Sequence, residues 1–402
     1  MKPGLLIAVA LGLLALAQGL GQAPRTSQST PRPESERTSA QTNKGEGVRP
    51  DYVGDQACAA CHGEKVNSFH RTAHFLTSRE PSADAILGNF TPGANVLKTA
   101  NPQLSYHMDR KEDGFFETAV DGTAPDTEEQ RERIDLVIGS GGKGQTYGFW
   151  NGDQLFQLPV SYWDDLGWVN SPGYRDGVAD FGRPVVARCL ECHGTYFESA
   201  APPPNRFRKT GYVVGLTCEK CHRPGREHVE HERTKTAAPA ESGILNPAKF
   251  SRERQVDLCA WCHAGHGIPL AKSFSYVPGE PIADYFEFPK QDPGAQLDVH
   301  GNQVELLKRS RCFQASAMTC ITCHDVHAVQ HDPAVFSQRC LGCHKPGTAA
   351  FPKDHTAASN CIDCHMPKQD TNLIVFSWNG KRMKPQVRNH WIKVYPGKVQ
   401  AH

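Results

Sequence analysis

The chain has 402 residues, of which 44 are Lys or Arg and 43 are Asp or Glu, for a formal net charge of +1. A balance that even, with no basic cluster, excludes a nucleic-acid-binding protein, whose affinity rests on concentrated positive charge. Gly and Pro are abundant, at 36 and 29, and apolar periodicity is weak for a globular enzyme of this length. The interior therefore needs another source of apolar surface.

The first residues read as an export signal. Lys2 supplies a charged start, an apolar run follows from Leu5 to Leu16, and small residues end at Ala17. Cleavage is expected after residue 17, or as late as residue 23. The run is too short to span a bilayer, which takes about 20 residues. No later segment is long and apolar enough for a transmembrane helix, so the mature chain is expected to be exported to the periplasm without an anchor. Residues 22–51 are rich in Pro, Ser, Thr, Gln, Arg and Glu, and are expected to form a disordered linker.

From residue 52 the dominant signal is cysteine. Fourteen of the 15 cysteines fall into seven Cys-x-x-Cys-His motifs. The cysteine pairs are Cys58 and Cys61, Cys189 and Cys192, Cys218 and Cys221, Cys259 and Cys262, Cys320 and Cys323, Cys340 and Cys343, and Cys361 and Cys364. The adjoining histidines are His62, His193, His222, His263, His324, His344 and His365. This is the attachment signal of c-type haem: each cysteine pair forms two thioethers to the porphyrin and the histidine ligates iron. Zinc sites, disulfides and redox dithiols also use paired cysteines, but none needs a histidine after every second one. Histidine is 19 of 402 residues, so seven such matches would arise by chance about once in a billion. Seven covalently bound haems are the expected cofactors. Their propionates would add roughly 14 carboxylates, making the loaded protein more acidic than its formal charge suggests.

Between the first and second motifs lies a haem-free interval. Strands are expected from Leu104 to Val120 around a turn at Gly114, and from Gln145 to Leu158 around Asn151 and Gly152, where Asn-Gly between aromatic runs signals a hairpin. The expectation is a mainly α and irregular haem-packed fold over residues 52–396, with a small antiparallel β insertion at about 90–185. Gly139 to Gly144 contains Lys143 but lacks the spacing and hydroxyl of a phosphate loop, and reads as a turn.

Twelve histidines remain after the motifs, and they decide function. A second imidazole fills the iron's sixth position and suits electron transfer, whereas an open position admits a small substrate. Cys61 and His62 followed by Phe69, Thr72 and His74 resemble the block after the first haem in the cytochrome c-554/c-prime family. Cys218 to His228 resembles a second block, ending in a distal ligand to a neighbouring haem. His324 with His327, and Cys361 to Lys368, resemble segments of multihaem cytochromes that include cytochrome c nitrite reductases. The resemblance spans about Tyr52 to Pro396. It implies His74, His228, His327 and His355 as distal ligands, with His390 closing back from the C-terminal side. His300 is the next candidate by local context. Six candidates serve seven irons, so either His107 or His266 completes the set or one iron is five-coordinate. His231 reads as a solvated neighbour of His228, and the fifteenth cysteine, Cys312, as a buried thiol.

The leading expectation is an electron carrier between redox proteins, such as other cytochromes or quinol-linked complexes. The alternative is an oxidoreductase with one five-coordinate haem acting on a small nitrogen or sulfur compound such as nitrite or hydroxylamine. Against it, all seven motifs end in His, where those nitrite reductases place Lys at the catalytic haem. Catalytic residues are not assignable; His107, Tyr106 and the segment from Trp163 to Trp168 are the candidates for surrounding a substrate.

Overall fold

The computed structural model describes residues 51–200, 202–234, 243–289, 297, 302–345, 347–348, 360–371 and 373–395. The expected signal segment, nearly all of the expected linker, and His300, His355 and His402 lie outside them.

The first motif sits on α1 (Asp55–Phe69), which kinks at His62. Ten strands precede the second motif. They are β1 (Ser78–Arg79), β2 (Val96–Lys98), β3 (Leu104–Lys111), β4 (Gly114–Thr123), β5 (Asp126–Arg133), β6 (Leu136–Ile138), β7 (Gly144–Asn151), β8 (Gln154–Gln157), β9 (Val160–Trp163) and β10 (Gly167–Asn170). They form two antiparallel sheets. The first runs β1-β6-β7-β9-β10 with β8 also on β7, and the second runs β2-β3-β4-β5. The hairpin at Asn151 has Gly152 at φ +59, a left-handed conformation that glycine adopts without cost. The turn between β3 and β4 falls at Glu112 and Asp113, just before Gly114.

The two sheets pack face to face. Leu104, Tyr106 and Met108 of β3 alternate inward and meet Val137, Tyr147, Phe149 and Val160 of the first sheet. This core closes on protein side chains alone. The other face of the first sheet, through Leu136, Ile138, Trp150 and Leu155, packs on α2 (Ala187–His193), the helix of the second motif.

Short elements carry the rest. After β11 (Gly194–Tyr196) and β12 (Val213–Val214) come α3 (Cys218–His222) with the third motif and α4 (Arg226–Thr234) with His228. The fourth motif ends α5 (Arg252–His263), which Ser251 caps through the N–H of Arg254. Then follow β13 (Ile268–Pro269), β14 (Phe286–Glu287), α6 (Gln303–Lys308) and α7 (Arg311–Gln314). A 3-10 turn at Cys320–Thr322 opens the fifth motif, and α8 (Pro333–Leu341), capped by Asp332, leads into the sixth. The seventh occupies α9 (Cys361–His365), capped by Asn360. Finally β15 (Lys368–Asp370) pairs with β18 (Gln386–Arg388), enclosing the hairpin of β16 (Phe376–Trp378) and β17 (Lys381–Met383).

The expectation of a mainly α and irregular fold with a small β insertion is therefore wrong. Among the described residues, helix accounts for 27% and strand for 26%. The physical reason is that the interval between the first two motifs builds its own two-sheet core, and the segments between later motifs close as two-stranded sheets rather than as longer helices.

Candidate functional site: seven cysteine-histidine motifs around one cavity

One turn of helix explains the local form of most motifs. Cysteines at i and i+3 and histidine at i+4 share a helix face, so both thiols and the imidazole point the same way. No disulfide joins any of the 15 cysteines. One connected cavity of about 3760 Å³ is lined by residues of every motif. Ordinary small-molecule pockets hold roughly 300–1,000 Å³. A cavity this large and apolar, edged by thiol pairs, fits several large planar groups attached at its walls.

Motifs distant in sequence meet in space. The thiols of Cys58 and Cys218 face each other, and with Asp55 their ligating atoms lie within 4.8 Å of one another. Cys192 meets Cys262, Cys259 meets Cys320, and Cys340 meets Cys361 in the same way. Further hydrogen bonds reinforce these junctions. Cys218 N donates to Asp55 Oδ1 at 3.0 Å, Thr319 Oγ1 to Gln255 Oε1 at 3.1 Å, and Cys361 N to Ser337 Oγ at 2.9 Å. His324 of the fifth motif lies 5.3 Å from the Phe336 ring of α8. These contacts join the first motif to the third, the second to the fourth, the fourth to the fifth, the fifth to the sixth and the sixth to the seventh. The second motif joins beside the third and fourth.

Buried charges hold the crowded end of this array. Glu219 accepts from the N–H groups of Val53, Gly54 and Gly225 at 2.9, 2.9 and 2.8 Å, tying α3 to the start of α1. Its neighbour Lys220 donates to Gly194 O at 3.0 Å and Thr195 O at 3.4 Å, with its ammonium 3.7 Å from the Trp261 ring centre. Burial lowers this lysine to about 8. Lys220 thus links the second, third and fourth motifs. Neither role carries a recognisable signal in sequence.

Three motif histidines face a histidine from elsewhere. Ring centres of His263 and His74 are 6.1 Å apart, those of His222 and His327 6.1 Å, and those of His324 and His390 6.4 Å. Two imidazole nitrogens each about 2 Å from one metal ion place the ring centres roughly 6 Å apart. Burial lowers both His263 and His390 to about 4, so both are neutral, the form that ligates metal. Burial also lowers His74 and His327. Backbone carbonyls orient several rings. Nδ1 lies 2.7 Å from Leu245 O in His222, 3.1 Å from Lys393 O in His365 and 3.1 Å from Arg388 O in His390. In each, Nδ1–H donates and Nε2 carries the lone pair, the arrangement of a ligand held by its outer shell. His193 Nδ1 lies 2.9 Å from Thr77 Oγ1 and 3.3 Å from Thr77 O.

The other candidates fall differently. His228, on α4, lines the cavity, and its buried Nδ1 has no hydrogen-bond partner among the described residues. His266 also lines the cavity, and its carbonyl accepts from Arg188. His231 Nδ1 lies 3.5 Å from Glu232. His70 is held by Asp55 through Nε2 at 2.8 Å. His107 stands on β3 with Nε2 3.2 Å from Ser105 Oγ, while Tyr106 and Trp168 belong to the intersheet core. Trp163 lines the cavity and packs on Phe376 at 4.4 Å. Cys312, on α7, is half-buried and also lines it.

No family model matches this chain, and no curated protein matches it. One solved structure, titled "Crystal Structure of Outer Cell Wall Cytochrome OcwA", aligns at a TM-score of 0.48 and 17% identity, covering 85% of this chain and 80% of that one. Both values are too low to carry a family assignment.

Proposed function

We propose that this chain is an exported heptahaem cytochrome c that passes electrons between redox proteins such as other cytochromes or quinol-linked complexes. Three motif histidines each facing a non-motif histidine at 6.1–6.4 Å carry this reading, because that spacing serves a six-coordinate iron and neither a zinc site nor a disulfide requires it. The proposed ligand pairs are His263 with His74, His222 with His327, and His324 with His390. Bound haem supplies reversible one-electron storage at each motif. The residues do the rest. The thiols fix each porphyrin edge, carbonyls such as Leu245 O orient the imidazoles, and the intermotif contacts keep neighbouring sites close enough to exchange electrons. His228, His300 and His355 are proposed as further distal ligands. Export follows from the N-terminal pattern, and no helix among the described residues is long and apolar enough to cross a membrane.

The test is intact-protein mass spectrometry of protein expressed with c-type maturation, combined with electron paramagnetic resonance. Seven covalent haem additions are expected, with at least three low-spin irons and no cysteine of the motifs alkylated after reduction. Motif cysteines that alkylate freely once reduced would replace this reading with a thiol or disulfide protein.

A further inference from the structure

Six acidic or basic side chains are buried among the described residues: Asp55, Glu117, Arg188, Glu191, Glu219 and Lys220. Glu117 belongs to the two-sheet core, where it accepts from Val160 N. The other five stand where the first four motifs meet. Taking charge out of water is costly unless it is closely paired, so five such groups at one end of the array call for a reason.

The five are sorted by sign. Between its two cysteines the third motif carries Glu219 and Lys220, and α3 turns them toward different neighbours. Glu219 faces the first motif, accepting from the N–H groups of Val53 and Gly54 at 2.9 Å each, and from Gly225 N at 2.8 Å. Burial raises this carboxyl, and its three N–H donors work against that rise. Asp55 joins it, with Oδ1 accepting from Cys218 N at 3.0 Å and Oδ2 lying 2.8 Å from His70 Nε2. The charges of Asp55 and Glu219 both reach the Cys58 thiol. No Lys or Arg is buried at this junction among the described residues. Lys220 faces the other way, toward the second and fourth motifs, held by Gly194 O, Thr195 O and the Trp261 ring rather than by an ion pair. Arg188 donates to Trp261 O at 2.6 Å and lies 3.5 Å from Glu191 Oε2. The charges of Lys220 and Arg188 both reach the thiols of Cys192 and Cys262. This junction therefore holds two buried cations against one carboxylate, and the first holds two carboxylates against none.

We propose that these segregated charges give the array a direction, setting the second and fourth sites above the first in reduction potential, with the third between them. A reduced site carries one more negative charge, which a buried cation stabilises and a buried carboxylate opposes, with little screening by salt. Each transfer moves one electron, oxidising the first site and reducing the fourth by way of the third, and a redox protein resupplies the first. This rests on the heptahaem reading and assigns Glu219 and Lys220 as the pair that divides the two ends.

The experiment is a spectroelectrochemical titration of the fully loaded protein, with the haem count fixed beforehand by mass. The midpoint lost in Cys259→Ser, Cys262→Ser should lie above the midpoint lost in Cys58→Ser, Cys61→Ser. Lys220→Met should lower the upper midpoint, cutting electron occupancy there about tenfold, ~59 mV for a one-electron couple, and Lys220→Arg should restore it. Asp55→Asn should raise the lower midpoint. Arg188→Gln should repeat the downward shift at the second and fourth sites, and stands in for Lys220→Met should that variant lose haem. An upper midpoint that belongs to the first site would overturn the proposal, as would unmoved midpoints in the charge variants at a full haem count. A parent protein lacking haem at any of these four sites defeats the heptahaem reading itself, and the gradient with it.

Discussion

At the scale of residues, the Cys-x-x-Cys-His motifs and the candidates His74, His327 and His390 were legible, whereas which motif histidine each candidate faces was not, because the fold can bring an imidazole there from anywhere in the chain. His327 illustrates this. It lies three residues beyond the fifth motif, yet its ring faces His222 of the third at 6.1 Å. On the proposed ligation, His327→Met replaces an imidazole by a thioether and should raise the potential of one iron, by a fraction of the roughly 0.8 V that axial ligands command. Spectroelectrochemical titration should find one midpoint moved and the rest in place; an unchanged titration would remove His327 from the ligand set. Glu117 makes a prediction independent of any cofactor. It is fully buried on β4, accepts from Val160 N at 2.9 Å, and its Oε2 has no hydrogen-bond partner among the described residues. Burial pushes this carboxyl well above its ordinary range. The fold thus favours the protonated form. Its contribution is fully present below the unfolded value near 4.5 and is lost as pH rises toward the folded one. Glu117→Gln should raise the melting temperature by a few degrees at neutral pH. Below the ordinary carboxyl range the gain should vanish, and a gain that persists there would contradict the burial argument.

Among elements, β3 was readable from its alternation of buried Leu104, Tyr106 and Met108 with more exposed neighbours. β5 was not. Its sequence from Asp126 to Arg133 is almost wholly polar and it is a strand because β4 pairs with it along its whole length. That failure, repeated in strands of two or three residues, hid most of the β content. Gly215 shows a tighter dependence between elements. Its φ is +64, and a Cβ there would stand 2.2 Å from Phe75 O. Its N–H donates to Ser78 Oγ at 2.9 Å, and the next residue, Leu216, donates to His74 O at 3.1 Å. Gly215→Ala should therefore cost about 2 kcal/mol or more, through the left-handed backbone and the contact together. It should also displace the segment that presents His74 to His263 and holds Thr77 against His193. A thermal melt paired with the visible spectrum separates the two effects. A stability loss with unaltered haem bands would mean that this junction is only structural.

For the whole molecule, chain order misrepresents spatial order, and no periodicity in sequence could have revealed it. The first motif abuts the third, and the second is set beside both third and fourth around the buried Lys220. The fourth motif is where these contacts converge: Cys262 meets Cys192, Cys259 meets Cys320, and Trp261 lies under the Lys220 ammonium. If electrons follow these contacts, the fourth site is the junction through which the first and third must reach the fifth, sixth and seventh. A photoreductant tethered beside the seventh motif should reduce the fifth to seventh sites normally in a Cys259→Ser, Cys262→Ser variant, while arrival at the first and third slows by orders of magnitude. Removing the second site by Cys189→Ser and Cys192→Ser should leave that transit unchanged, because Lys220 of the third motif lies directly on Trp261 of the fourth. Equal slowing in both variants would mean that the second site is on the main path and that electrons do not cross directly from the third motif to the fourth past Lys220 and Trp261. The comparison holds only where each variant retains the melting behaviour of the parent, which the independent two-sheet core, with its own packing of Leu104, Tyr147 and Val160, makes the expected outcome for the β portion of the chain.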